Sequence, residues 1–365
     1  MAHTVKLKSL FSSLLAGFLV ASCATVDLAT ERAEDKAAAL AVAYLNGVGA
    51  SGLTITVGVD QSIVWSGGFG FADLEQQVPV NPALTLFRVG STAKPMTAMA
   101  LGQLVEAGKL DLDEPVQTYL PDFPEKRWTI TTRMLAGHLA GIRHYKDDEF
   151  YSAVAYESVS DALSIFKDDP LEFRPGTAYS YSSYGFNLVS AVVEAAADQE
   201  FLSYLSDKVF TPTGMTQTIA DRVVPIIRNR SRYYRSQDGV LVNTPWVDNS
   251  NKWAGGGILS TSEDLVRFGF AHLSDQFLRP ETIELMWSAQ STSDGEKTGY
   301  GIGWQTGTDK QGRRVVGHTG GSVGGTTSLR IYPQEGMVVA IISNTSDVDL
   351  GKLTDGIVEV FLYNE

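Results

Sequence analysis

The chain has 365 residues, 44% hydrophobic and 19% charged, which is the composition of a globular protein with one large or two intertwined domains and excludes a disordered one. A formal net charge of −13 argues against nucleic-acid binding, which needs Lys and Arg to neutralise phosphate. The single cysteine, Cys23, excludes an internal disulfide and leaves the folded part without a thiol for metal or redox chemistry.

Lys6 and Lys8 precede an apolar run over residues 10–20 and then small residues, so 1–22 is expected to be a secretory signal; the run is too short to span a bilayer. Val20-Ala21-Ser22-Cys23 resembles a bacterial lipobox. That resemblance implies lipidation at Cys23 and an exported, periplasmic, membrane-anchored lipoprotein. Residues 23–52 read as a tether and an N-terminal helix ended by Gly47.

Two β-branched runs, 53–59 and 62–65, flank Asp60-Gln61 and predict a hairpin; residues 69–74 begin a third strand or a loop. Helical patterns follow at 94–107, 131–139, 159–166, 185–197 and 201–209, separated by proline-containing loops. A loop-rich passage covers 233–257 and ends in Gly255-Gly256-Gly257, where backbone is expected to pack closely or bend. Thr261-Ser262-Glu263-Asp264 caps a helix running to about His272. Strands are predicted at 300–305, 313–317, 326–332 and 337–343, and a closing helix at 350–362. Strands at both ends and helices between them predict an α+β fold: an antiparallel-sheet domain from 53–90 and 250–365, covered by the terminal helices, with a mostly helical domain, 91–249, inserted into it.

Three motifs carry candidate chemistry. Ser91-Thr92-Ala93-Lys94 follows a short apolar run and Gly90 and opens a helix, with Pro95 in its first turn. At i, i+3 the hydroxyl and the amine share one helix face, near the positive end of the dipole. Ser91 is the candidate nucleophile and Lys94 its base. A second Ser-x-x-Lys, Ser164 to Lys167, sits in an ordinary amphipathic helix pattern and reads as a surface coincidence. Tyr181-Ser182-Ser183 lies in an aromatic, serine-rich loop before a helix; a tyrosine there can relay protons if a cation holds its pKa down. The bland reading is a core tyrosine. His318-Thr319-Gly320-Gly321 ends a strand pattern with glycines that let a backbone N–H approach a substrate oxygen; the bland reading is a hairpin turn. His138, His144 and His272 show no metal-ligand spacing, and no G-x-S-x-G elbow, Walker loop or dinucleotide fingerprint is present.

The order Ser-x-x-Lys, Tyr-x-Ser, His-Thr-Gly resembles the penicillin-recognising serine hydrolases, whose usual forms are Ser-x-x-Lys, Tyr-x-Asn and Lys-Thr-Gly. The segments at 135–142 and 254–261 are similar to the class C β-lactamase-like branch, which includes family VIII esterases and D-Ala carboxypeptidases. Longer stretches, GIRHYKD and VNTPWVDNSNKWAGGGILST among them, resemble the mitochondrial serine β-lactamase-like (LACTB-type) family from about residue 53 onward.

The resemblance implies the β-lactamase/transpeptidase-like fold and an acyl-enzyme on Ser91. Lys94 would act as base, Tyr181 as proton relay, and the backbone N–H groups of Ser91 and Gly321 as oxyanion hole. Substrate contacts would come from Ser183, His318, Thr319 and Gly320, with no cofactor or metal. A lysine amine ordinarily titrates near pH ~10.4, so base duty near neutrality demands a strong lowering. Ser183 in place of asparagine and His318 in place of lysine weaken the case for β-lactam turnover. Expected substrates are small acyl compounds, with peptide and ester ahead of β-lactam or D-Ala-D-Ala. The alternatives are a non-turnover peptidoglycan-binding sensor or a membrane-tethered scaffold. Oligomerisation is possible.

Overall fold

The computed structural model describes residues 32–363. The signal segment and Cys23 lie outside the described residues. The helices are α1 (Ala33–Val48), α2 (Ala93–Glu106), α3 (Thr132–Ala136), α4 (Val159–Ala162), α5 (Ser183–Ala197), α6 (Phe201–Tyr204), α7 (Ser262–Ala271), α8 (Pro280–Trp287) and α9 (Gly351–Leu362). The strands are β1 (Gly52–Val59), β2 (Ser62–Asp73), β3 (Val78–Pro79), β4 (Phe87–Arg88), β5 (Ile219–Ala220), β6 (Tyr234–Gln237), β7 (Val240–Asn243), β8 (Ile258–Ser260), β9 (Gln305–Thr308), β10 (Arg314–Ser322), β11 (Gly325–Tyr332) and β12 (Met337–Ser343).

Seven strands form one antiparallel sheet in the order β3-β2-β1-β12-β11-β10-β9. The β1–β12 pair joins the two ends of the chain, from Leu53 opposite Ser343 to Val59 opposite Met337. Their period of two divides the side chains between two cores. Leu53, Ile55, Val57, Met337, Val339 and Ile341 pack under α1 and α9 with Ala37, Ala41, Leu353 and Ile357. Val338, Ala340 and Ile342 face the other way, onto Val266, Phe268 and Phe270 around α7 and the central helices. Strand β12 is accordingly apolar from Met337 to Ile342, as a strand covered on both faces requires, whereas β1 sets Leu53, Ile55 and Val57 on one face and buried Thr54 and Thr56 on the other, Thr56 bonding the Ser66 and Ser262 hydroxyls. Close approach selects glycine: a Cβ on Gly269 would meet Val338, and one on Gly58 would meet the Phe270 ring.

Helix α2 is buried almost all round, from Ala93 to Leu104, and α5 is buried over its first eleven residues, Ser183 to Val193. Helices with no polar face belong in a core, and these two pack against each other. Strand β4 pairs with β8 and delivers the chain to Ser91; β8 also pairs with β5.

Several elements differ from the sequence expectation. Helix α1 runs through Gly47 to Val48 and ends at Gly49, which takes the left-handed conformation (φ 62°) and returns its N–H to the Leu45 carbonyl. Strand β2 continues through Gly67, Gly68 and Gly70 to Asp73, its backbone held by β1 despite the glycines. Residues 300–304 form no strand: Tyr300 bridges to Gln305, where β9 begins, across a turn with Gly303 at φ 76°. The passage 233–257 contains the β6–β7 hairpin, whose two four-residue strands, one polar after Tyr234 and one reading Val240-Leu241-Val242-Asn243, are too short to show an alternation. Helix α5 begins at Ser183, because the Ser182 hydroxyl accepts the Gly185 N–H as N-cap.

Candidate active site

Gly90 to Thr92 form one tight turn that leads into α2. Gly90 has φ 52°, and a Cβ there would stand 2.5 Å from the Gly321 carbonyl oxygen and 2.9 Å from its nitrogen. A Cβ on Gly320 would stand 2.0 Å from the Val89 carbonyl oxygen. The three glycines thus let strand β10 lie directly against the turn, and the backbones of Ser91 and Gly321 sit side by side. The space above Gly321 is open.

The Lys94 amine is fully buried and lies 3.1 Å from Ser91 Oγ, 3.2 Å from Ser183 Oγ and 2.8 Å from the Gly255 carbonyl oxygen. Burial holds it well below the usual lysine range. A neutral amine has two N–H groups and one lone pair. The Gly255 carbonyl can only accept, and Ser183 can take the second N–H, so the lone pair is free to receive the Ser91 proton. Lys94 Nζ also lies 4.8 Å from the centre of the Tyr181 ring.

Tyr181 faces Ser91, and that hydrogen bond lowers its pKa, but burial dominates and raises it above the ordinary phenol value. The condition set by the sequence reading, a cation that holds the Tyr181 pKa down, is not met: the Lys94 amine lies over the ring face, is itself held well below the lysine range by burial, and burial raises the phenol.

His318 is buried and does not line the pocket over Ser91. Its Nδ1 faces the Thr319 carbonyl oxygen at 2.5 Å, which can only accept, so Nδ1 carries the proton and Nε2 accepts from Tyr300 Oη at 2.8 Å. Burial, the largest cause, lowers its pKa to about 3, so no positive charge stands at this position. Thr319 is exposed and bonded to Gln305. The pocket over Ser91, about 230 Å³, is lined by Tyr181, Ser183, Gly321, His144, Tyr145 and Lys252 among others. His318, Thr319 and Gly320 are not on its wall; Gly320 packs against Val89 beneath it. The Ser164 copy is a surface feature: Ser164 bonds the Asp161 carbonyl and Lys167 pairs with exposed Asp168.

Four contributors escaped the sequence reading. His138 Nδ1 accepts the Ser182 N–H at 3.2 Å and His144 Nδ1 accepts the Ser183 N–H at 3.1 Å, so both histidines fix the Tyr181 loop. Both are held below the usual histidine range by burial first, His144 to about 4. Tyr300 closes an aromatic cluster with His138, Tyr179, Tyr181 and His318. The fourth is the Gly255 carbonyl, presented by a turn in which the Lys252 carbonyl accepts from the N–H groups of Gly255, Gly256 and Gly257. The triple glycine was its only signal.

The β-lactamase family profile matches residues 37–360. The chain belongs to the β-lactamase family. It is 34% identical over 411 aligned residues to the human mitochondrial serine β-lactamase-like protein LACTB, covering 83% of this chain and 75% of that one. It is 26% identical to penicillin-binding protein 4* of Bacillus subtilis, covering 80% of this chain and 68% of the relative. Among solved structures, the D-amino acid amidase of Ochrobactrum anthropi superposes with a TM-score of 0.80 at 20% identity, over 91% of this chain and all of that one. The octameric penicillin-binding protein homologue of Pyrococcus abyssi gives 0.78 at 24% identity, over 90% and 77%. The β-lactamase-family fold is α+β, with helices and an antiparallel sheet as expected, and this chain is a serine hydrolase of the acyl-enzyme type.

Proposed function

We propose that the enzyme transfers acyl groups through Ser91. One observation carries this reading: a fully buried, lone-pair-bearing amine, Lys94, lies 3.1 Å from the Ser91 hydroxyl at the floor of an open pocket. Lys94 takes the Ser91 proton as Oγ attacks the substrate carbonyl. The oxyanion is held by the N–H groups of Ser91 and Gly321, whose backbones the glycine contacts bring together. Tyr181 passes a proton to the leaving group as it departs and is reprotonated from Lys94; water then releases the acyl group along the same relay in reverse.

Esters and peptides fit the site better than β-lactams. The penicillin-handling families place a fixed positive charge where this chain has His318, and here that ring is buried, neutral and committed to Tyr300. The proposal includes export and lipid anchoring at Cys23, and the division into a sheet domain, 53–90 and 250–365, and a helical domain, 91–249. Assembly into oligomers is likewise proposed, by analogy with the octameric relative. Among the described residues no helix is long and apolar enough to cross a membrane.

The test is a panel of 4-nitrophenyl esters, nitrocefin and a D-Ala-D-Ala peptide, each with wild type and Ser91→Ala. Turnover of the esters or peptide that disappears in Ser91→Ala is expected. An adduct that forms and is not released points instead to a sensor, and no reaction with any compound overturns the proposal. Release of Cys23→Ser from the membrane fraction is expected; unchanged retention refutes the anchor.

A further inference from the structure

A second buried lysine lines the same pocket, and the acyl-transfer chemistry does not use it. Lys252 is 4% exposed. Its ammonium donates to the Phe150 carbonyl at 2.9 Å and lies 4.8 Å from the Phe150 ring centre and 5.2 Å from that of Tyr145. An ammonium has three N–H groups. Among the described residues Lys252 has this one hydrogen-bond acceptor, and no carboxylate lies within 4 Å of it. Aromatic faces stabilise a cation without neutralising it.

The loop beneath is rigid. The Arg143 guanidinium bonds Glu149 and Asp169, and Tyr184 bonds Glu149, which fixes the turn that carries Tyr145 and Phe150. The Lys252 carbonyl, for its part, anchors the Gly255 turn that serves Lys94. Backbone constraints therefore tie the Lys252 head to the same pocket as the Ser91–Lys94 pair.

We infer that Lys252 is the anion-recognition residue of this site, and that the preferred substrates carry a carboxylate, on the acyl or the leaving-group side, that pairs with its ammonium. This inference rests on the acyl-transfer reading of Ser91. It restores to the pocket the positive charge that His318 does not supply. The contrast with Lys94 is physical: both amines are buried, but Lys94 is held well below the lysine range, whereas Lys252 is lowered only to about 8, by burial first and then by Arg88, with Asp221 and Asp248 opposing. At neutral pH Lys252 is mostly the cation. The other titratable groups around it are His144, held near 4 and neutral, Tyr145, raised to about 12 and neutral, and Asp347, exposed on the pocket wall.

The test compares kcat/KM within two pairs of esters: mono-4-nitrophenyl adipate against 4-nitrophenyl hexanoate, and 3-carboxyphenyl hexanoate against phenyl hexanoate. Wild type should prefer the charged member of at least one pair by ten-fold or more at pH 7. That preference, taken as a ratio so that Lys94 and Tyr181 cancel, should fade as pH rises through about 8, the pKa of the free enzyme's Lys252. Lys252→Met should abolish the ratio through KM, and Lys252→Arg should keep it at pH 9 and above. A wild-type ratio near one in both pairs, or a preference that does not change across pH 7–9.5, overturns the inference without any variant having to fold. Failure of wild type to hydrolyse the neutral esters, or hydrolysis that persists in Ser91→Ala, would instead overturn the acyl-transfer reading.

Discussion

Replacing Lys94 with methionine should remove activity and raise stability, with a gain that depends on pH. In the unfolded chain a lysine stays protonated to about pH 10.4, while burial holds folded Lys94 well below that value. Between the two, the unfolded state binds more protons, so wild-type stability rises with pH in that window, by about 1.4 kcal/mol per pH unit. The penalty is largest on the acid side of the window and vanishes near pH ~10.4. Methionine binds no proton and escapes it. Against this gain stands a pH-independent loss of about 1–3 kcal/mol, because the Gly255 carbonyl and Ser183 hydroxyl lose their partner. The assay is thermal unfolding of both proteins from pH 6 to 10. At about 2 °C per kcal/mol for a chain of this size, the difference in Tm should change by about 3 °C per pH unit inside the window. In the same preparations ester kcat/KM should fall by about 10²–10⁴ in Lys94→Met. A difference in Tm that is flat with pH would refute the claim that Lys94 folds as the neutral amine, and undiminished turnover would refute its role as base.

Gly320→Ala should lower stability by about 1–3 kcal/mol, since its Cβ would meet the Val89 carbonyl, while Gly321→Ala should leave Tm within about 2 °C and act on ester KM through the open pocket; thermal unfolding and ester kinetics separate the two. Arg88→Met should destabilise by about 3 kcal/mol in urea unfolding, because buried Asp221 loses the cation 2.7 Å away and keeps only the Asn249 amide and the more distant Arg230. Tyr181→Phe should slow alkyl esters, whose leaving groups need a proton, about a hundred-fold more than 4-nitrophenyl esters, whose leaving groups do not; equal losses on both would remove the relay.

Strand β12 was legible because a strand covered on both faces writes an unbroken apolar run, β1 because Leu53, Ile55 and Val57 alternate with β-branched threonines, and α2 and α5 because a buried helix carries apolar residues nearly all round. Ser91 and Lys94 were legible because their contact is local, one helical turn apart. What the sequence could not show was nonlocal. The Gly255 carbonyl reaches Lys94, and His138 and His144 reach the Tyr181 loop, across long stretches of chain with no periodicity to announce them. His318 was legible as a motif residue but not in its orientation, which Tyr300 and the Thr319 carbonyl decide. Lys252 was hidden in a stretch that read only as loop.

The most direct test of the acyl-enzyme at Ser91 is an acid quench during turnover of a 4-nitrophenyl ester, followed by intact mass and peptide mapping. The expected result is one acyl group on the peptide containing Ser91, with adduct and turnover both absent in Ser91→Ala. An adduct on another residue, or ester turnover that survives Ser91→Ala, would contradict it.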